Sequence, residues 1–125
     1  MSIFACQNII DVPKPVWRED VNDLKRIISH EYQAKDVQFS TPFVYRSKDD
    51  KDYWLRVSLL NPKRPNSTFT DVAKDVAIKT LQHLQNYEKF KKIEINIVQA
   101  QEGPLVIKVQ RSMFFKCDSL INASK

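Results

Sequence analysis

The chain has 125 residues, 42% of them hydrophobic and 28% charged, which is the make-up of a globular domain and suits a single core. No apolar run approaches the roughly 20 residues that a membrane-spanning helix needs. The net charge of +5 is unevenly placed: residues 1–62 hold equal numbers of acids and bases, and the excess lies in residues 63–125. So modest an excess permits an acidic or phosphate-bearing partner without requiring one.

The first segment, residues 1–16, is apolar but irregular, and Pro13 and Pro15 pre-set an extended lead into the first helix. Ser2-Ile3-Phe4-Ala5-Cys6 has a small residue before a cysteine, as at the end of a bacterial lipoprotein signal. With a leader upstream, Cys6 is expected to be a lipid anchor and the protein to belong to the cell envelope; as written, the expectation is cytoplasmic. The alternative for residues 3–10 is a first strand, which could lie beside the last one, or a loose end. Cys6 and Cys117 match no metal spacing and form no Cys-x-x-Cys pair, so free thiols are the simplest reading, and their pairing stays open.

This first helix is expected from Trp17 to Gln33. Val21, Leu24, Ile27, Ile28 and Tyr32 form its apolar stripe, and Glu19 and Asp20 suit its positive end. Alternation from Val37 to Tyr45 then predicts a strand, with Pro42 marking an edge or a bulge. The charged run from Ser47 to Asp52 reads as a hairpin tip, since it lacks the glycine and distal glutamate of a calcium loop. Tyr53 to Leu60 returns as one strand, with Leu55, Val57 and Leu59 on one face and Trp54, Arg56 and Ser58 on the other.

After a Pro- and Asn-rich loop containing Lys63 and Arg64, Thr68 and Asp71 resemble a capping box, with Thr70 a competing cap. A second amphipathic helix comes next, with Ala73, Val76, Ala77, Leu81, Leu84 and Tyr87 in its stripe, expected to end near Phe90. Ile93, Ile95 and Ile97 alternate with Glu94 and Asn96 in a half-buried strand. The chain's only glycine, Gly103, sits in the next turn, where a positive φ is expected. A last strand runs from Leu105 to about Phe115, with a bulge expected where the alternation slips around Arg111. Residues 118–125 read as a flexible tail.

The order is αββαββ within one domain spanning residues 17–117, and the two halves are similar enough in element order to suggest duplication. The expected fold is an α+β two-layer sandwich. Its antiparallel sheet has four strands, or five with the N-terminal segment, and two helices on one face.

The sequence carries no motif that names a reaction. His30 and His83 have no nearby partner in sequence, and a single glycine rules out Gly-rich phosphate cradles and nucleophile elbows. No metal site, cofactor or catalytic residue is predicted, and the chain reads as non-enzymatic. The feature with functional content is the sheet face turned away from the helices, where aromatic and cationic side chains share one surface: Arg46, Trp54, Arg56, Lys108 and Phe114. Trp, Phe and Arg are common anchors of protein interfaces, so a protein partner is the first expectation. Nucleic-acid binding through the same face and the Lys63-Arg64 loop is the alternative.

Overall fold

The structure, a computed structural model, describes residues 12–47, 50–63, 68–101, 103 and 107–123. The secondary elements follow the local patterning, in the order α1 (Val21–Tyr32), β1 (Asp36–Ser40), β2 (Phe43–Ser47), β3 (Asp50–Tyr53), β4 (Leu55–Leu60), α2 (Phe69–Gln82), β5 (Lys92–Gln101), β6 (Ile107–Lys116) and α3 (Cys117–Ala123). A single 3-10 turn, Tyr87–Lys89, separates α2 from β5.

Both long helices are capped by side chains at their N-termini. Asp20 accepts the Asn22 N–H and starts α1 four residues later than the apolar pattern implies, while Thr68 accepts the Asp71 N–H and starts α2. Upstream of α1 the chain is extended. Arg18 N–H donates to the His83 carbonyl and Gln85 N–H to the Val16 carbonyl, lacing this segment onto the loop after α2. α2 ends early, at Gln82 rather than near Phe90, and the 3-10 turn delivers Phe90 into the core at 2% exposure.

The main sheet has the order β1-β4-β5-β6. β1 pairs with β4 and β5 with β6 in antiparallel fashion, but β4 and β5 run parallel, so the sheet is mixed and the expectation of an all-antiparallel sheet is corrected. The cause is the connection. α2 carries the chain from the end of β4 back to the start of β5 at the opposite end of the sheet, and a return of that kind makes neighbouring strands parallel.

The first hairpin is also divided. Pro42 has no N–H to continue the ladder, so β1 ends at Ser40 and the distal strands β2 and β3 form a separate two-stranded sheet. Trp54, outside both strands, donates its backbone N–H to the Pro42 carbonyl across this break. β1 is an edge strand, as Pro42 suggests.

The helix-side residues of the sheet, Val37, Leu55, Val57, Leu59, Ile93, Ile95 and Ile97, join Leu24, Ile28, Ala73, Val76 and Ala77 in one apolar cluster. Three helices cover it rather than two: the stretch read as a tail carries α3, whose Cys117 and Leu120 are buried in the same cluster. Across the helices, the Lys79 ammonium sits 3.0 Å from Glu31 of α1 and 2.5 Å from Asp75 of its own helix, and Asp75 also accepts the Tyr32 hydroxyl. Burial alone would lower the Lys79 pKa, but these carboxylates raise it.

No bulge occurs at Arg111. β5 and β6 stay in register over ten residue pairs, and Arg111 occupies a helix-side position because its guanidinium lies 4.3 Å from the centre of the Phe69 ring. A cation on an aromatic face fills a site where the alternation called for an apolar side chain. Among the described residues a positive φ falls on Gln33 and Asn61, each at 50°, and on no glycine, so the expectation for Gly103 is not met; the rest of the glycine turn lies outside them.

Candidate functional site

The sheet register places the helix-free face residue by residue. Ser40, Arg56, Glu94 and Phe114 stand in one row across the four strands, with Gln38, Ser58, Asn96 and Ser112 in the next. Strand alternation alone puts all eight on one side.

At the centre of the first row, Glu94 is only 4% exposed although it faces away from the hydrophobic core. Its Oε1 accepts the Trp54 indole N–H and the Arg56 Nε–H, each at 2.8 Å, and its Oε2 accepts the Ser112 hydroxyl at 2.6 Å. Burial pushes the carboxyl pKa up, and the hydrogen bonds from Ser112, Arg56 and Trp54, with the Arg56 charge, more than offset it and hold the group below its ordinary value. An ionised carboxylate with three donors is a fixed point for the side chains around it.

The aromatic part is built on that point. Trp54 and Phe114 meet edge to face with centroids 5.8 Å apart. The Lys92 ammonium lies 4.8 Å from the Trp54 ring and 5.3 Å from the Phe114 ring, and Asp52 on the distal hairpin holds it at 2.9 Å. Phe114 remains half exposed, and Arg56 and Trp54 are partly exposed beside it.

The sequence-predicted residues therefore divide. Trp54, Arg56 and Phe114 come together around Glu94. Lys108 stands on the same face but six residues along β6 from Phe114, about 20 Å at the rise of a strand. A shallow trough of about 530 Å³ links the two ends, lined among others by Gln38, Arg56, Ser58, Asn96, Lys108 and Gln110. Lys63 is exposed beyond the end of β4, its N–H donating to the Tyr32 carbonyl. Arg64, Cys6, the strand expected within residues 3–10 and the side chain of Arg46 fall outside the described residues.

Neither Glu94, the hub, nor Lys92, the stacked cation, is among the sequence-predicted site residues. One signal for the first was available, an acid set between isoleucines in the most apolar strand. Nothing local marked Lys92, which reads as an ordinary helix-end lysine.

Elsewhere the chemistry is sparse. His30 is exposed on α1, and the His83 ring Nδ1 lies 2.8 Å from the Lys79 carbonyl; among the described residues neither bonds a thiol or a carboxylate. Burial, with Asp118 adding to it, pushes the Cys117 thiol up to about 12, which keeps it un-ionised and a poor nucleophile at neutral pH. No cluster of three metal-ligating side chains occurs among the described residues, and no helix is long and apolar enough to cross a membrane. On the helix side, Pro62, Phe69, Val72, Ile97, Val109 and Arg111 line an apolar cleft of about 220 Å³. Compared with known proteins, the chain matches no family model, no curated protein and no solved structure.

Proposed function

We propose that this chain is a non-catalytic binding domain that docks a protein partner on the helix-free face of its sheet, around Trp54, Arg56 and Phe114. The observation that carries this reading is the pre-set cluster itself. Glu94 locks the Arg56 guanidinium and the Trp54 indole in place, and a half-exposed Phe114 stands beside them. Holding large side chains in one rotamer before binding removes part of the entropy cost of association, about 0.5–1.5 kcal/mol for each side chain so immobilised. Trp and Arg are also the residue types most enriched among interface hot spots.

The test replaces Phe114 by a photo-crosslinking phenylalanine analogue in the full chain, with the same analogue at position 74, on the exposed side of α2, as control. A light-dependent adduct with a protein of defined mass at position 114, absent at position 74 and lost with Arg56→Ala, is the expected result, with circular dichroism confirming that the variants are folded. Failure to form a protein adduct at position 114 would sink the reading. An adduct with polynucleotide instead, with affinity falling steeply as salt rises, would replace the protein partner by a nucleic acid.

A further inference from the structure

A partner on the helix-free face would lie beside the edge strand β6. It is the outer strand of the main sheet, ten residues long, paired with β5 along its whole length without a register shift. Edge strands are usually blunted by shortness, proline or bulges. The opposite edge is treated in that way: β1 has five residues and stops before Pro42. β6 has no proline, no glycine and no bulge.

The free backbone groups can be assigned. The Cys117 N–H donates to the Lys91 carbonyl, so residues 91 and 117 form a hydrogen-bonded pair. Antiparallel alternation then turns the N–H and C=O groups of Val109, Arg111, Met113 and Phe115 toward β5. Those of Lys108, Gln110, Ser112, Phe114 and Lys116 point away from the sheet, and among the described residues no backbone partner meets them.

We propose that this edge takes up an extended acidic segment of another protein as a fifth strand, a mode that rests on the protein-binding reading. Charge selects the occupant. β6 carries Lys108, Arg111 and Lys116 and no acid. A second copy laid antiparallel on it, in the register centred on Ser112, sets Lys108 against Lys116 twice; the register centred on Arg111 sets Arg111 against itself. Like charges directly opposite one another destabilise a strand pair. An acidic strand turns the same positions into attractive pairs, and an apolar residue opposite Phe114 covers its exposed ring. Main-chain hydrogen bonds supply the adhesion, and alternate side chains supply the choice of partner.

The probe is a nine-residue peptide designed to run antiparallel to residues 116–108, with glutamates at its first, sixth and ninth positions, leucine at its third and threonine elsewhere. Controls are a charge-reversed peptide with lysines in those three positions and an acidic peptide N-methylated at the alternate amides that would face β6. With the full chain, the expected results are binding about tenfold tighter for the acidic than for the lysine peptide, a similar loss on N-methylation, and slowed amide exchange at Lys108, Gln110, Ser112, Phe114 and Lys116.

Equal binding of the two charge forms overturns the proposal, as does binding indifferent to N-methylation. Slow exchange at the same amides without any peptide overturns it too, by making residues 3–10 the occupant if the protection is independent of protein concentration and a second copy if it rises with concentration. If crosslinking at position 114 captures a protein while these amides stay unprotected in the adduct, strand addition fails and the docking face stands. Absence of both crosslink and protection removes the underlying reading as well.

Discussion

Glu94 is the residue on which the helix-free face depends, because its carboxylate ties together β4, β6 and Trp54 through three donors. Glu94→Gln keeps the shape and removes the charge, exchanging charge-assisted hydrogen bonds for neutral ones, at a cost of about 2 kcal/mol at neutral pH. The acid range provides a second, independent signature. The folded carboxyl lies below its ordinary 4.5, so the folded state binds fewer protons than the unfolded state in that window. The stabilisation from Glu94 is complete above pH 4.5 and is lost as pH falls through the folded pKa. Urea unfolding at neutral pH and at steps below pH 4.5 should show the gap between wild type and Glu94→Gln narrowing as acid is added. Parallel curves would mean that Glu94 is not held ionised by its donors.

At the scale of elements, α3 changes what the end of the chain is for. Its charged and polar residues hide a two-position apolar contact: Cys117 and Leu120 are three apart, lie on one helical face and are both buried in the core. Two buried positions are too few to register as periodicity, which is why the stretch reads as a tail. Leu120→Ala should cost about 2–3 kcal/mol in urea unfolding, against about 1 kcal/mol for the loss of the α2 cap in Thr68→Ala. A Leu120→Ala protein as stable as wild type would mean that α3 is not docked. The divided hairpin belongs to the same scale. Pro42 signals the interruption, and in the structure it parts β1 and β4 from the arm of β2 and β3, with Trp54 at the break donating its backbone N–H to the Pro42 carbonyl and its indole N–H to Glu94.

For the whole molecule, one apolar cluster joins the three helices to the helix side of the main sheet, and a single core predicts a single transition. The two tryptophans make this testable, since they report from opposite sides of the sheet. Trp17 packs on Phe39 with centroids 4.8 Å apart on the helix side, and Trp54 meets Phe114 on the helix-free side. Single-tryptophan proteins, Trp17→Phe and Trp54→Phe, should each give a fluorescence midpoint in urea that coincides with their own circular-dichroism midpoint. A fluorescence transition displaced from the circular-dichroism one in either variant would show that the two sides come apart separately.

The sequence by itself determined the features that depend on near neighbours in the chain. The stripes of α1 and α2, the Thr68 cap and the inward side of each main-sheet strand come from periods of 3.6 and 2, which any stretch of a dozen residues displays; the stripes fail at Ile27, which is exposed at the margin of its stripe, and at Leu84 and Tyr87, which lie beyond the end of α2. That is also why Trp54, Arg56 and Phe114 could be assigned to one face before any strand partner was known. Tertiary structure alone decided which strands are neighbours and in which direction they run. The parallel junction of β4 and β5 depends on where α2 returns the chain, and no local pattern encodes that. It also brought Lys92 to Asp52 on β3, and it brought Trp54, Arg56 and Ser112 to Glu94, because a buried charge becomes tenable only when donors from distant parts of the chain converge on it.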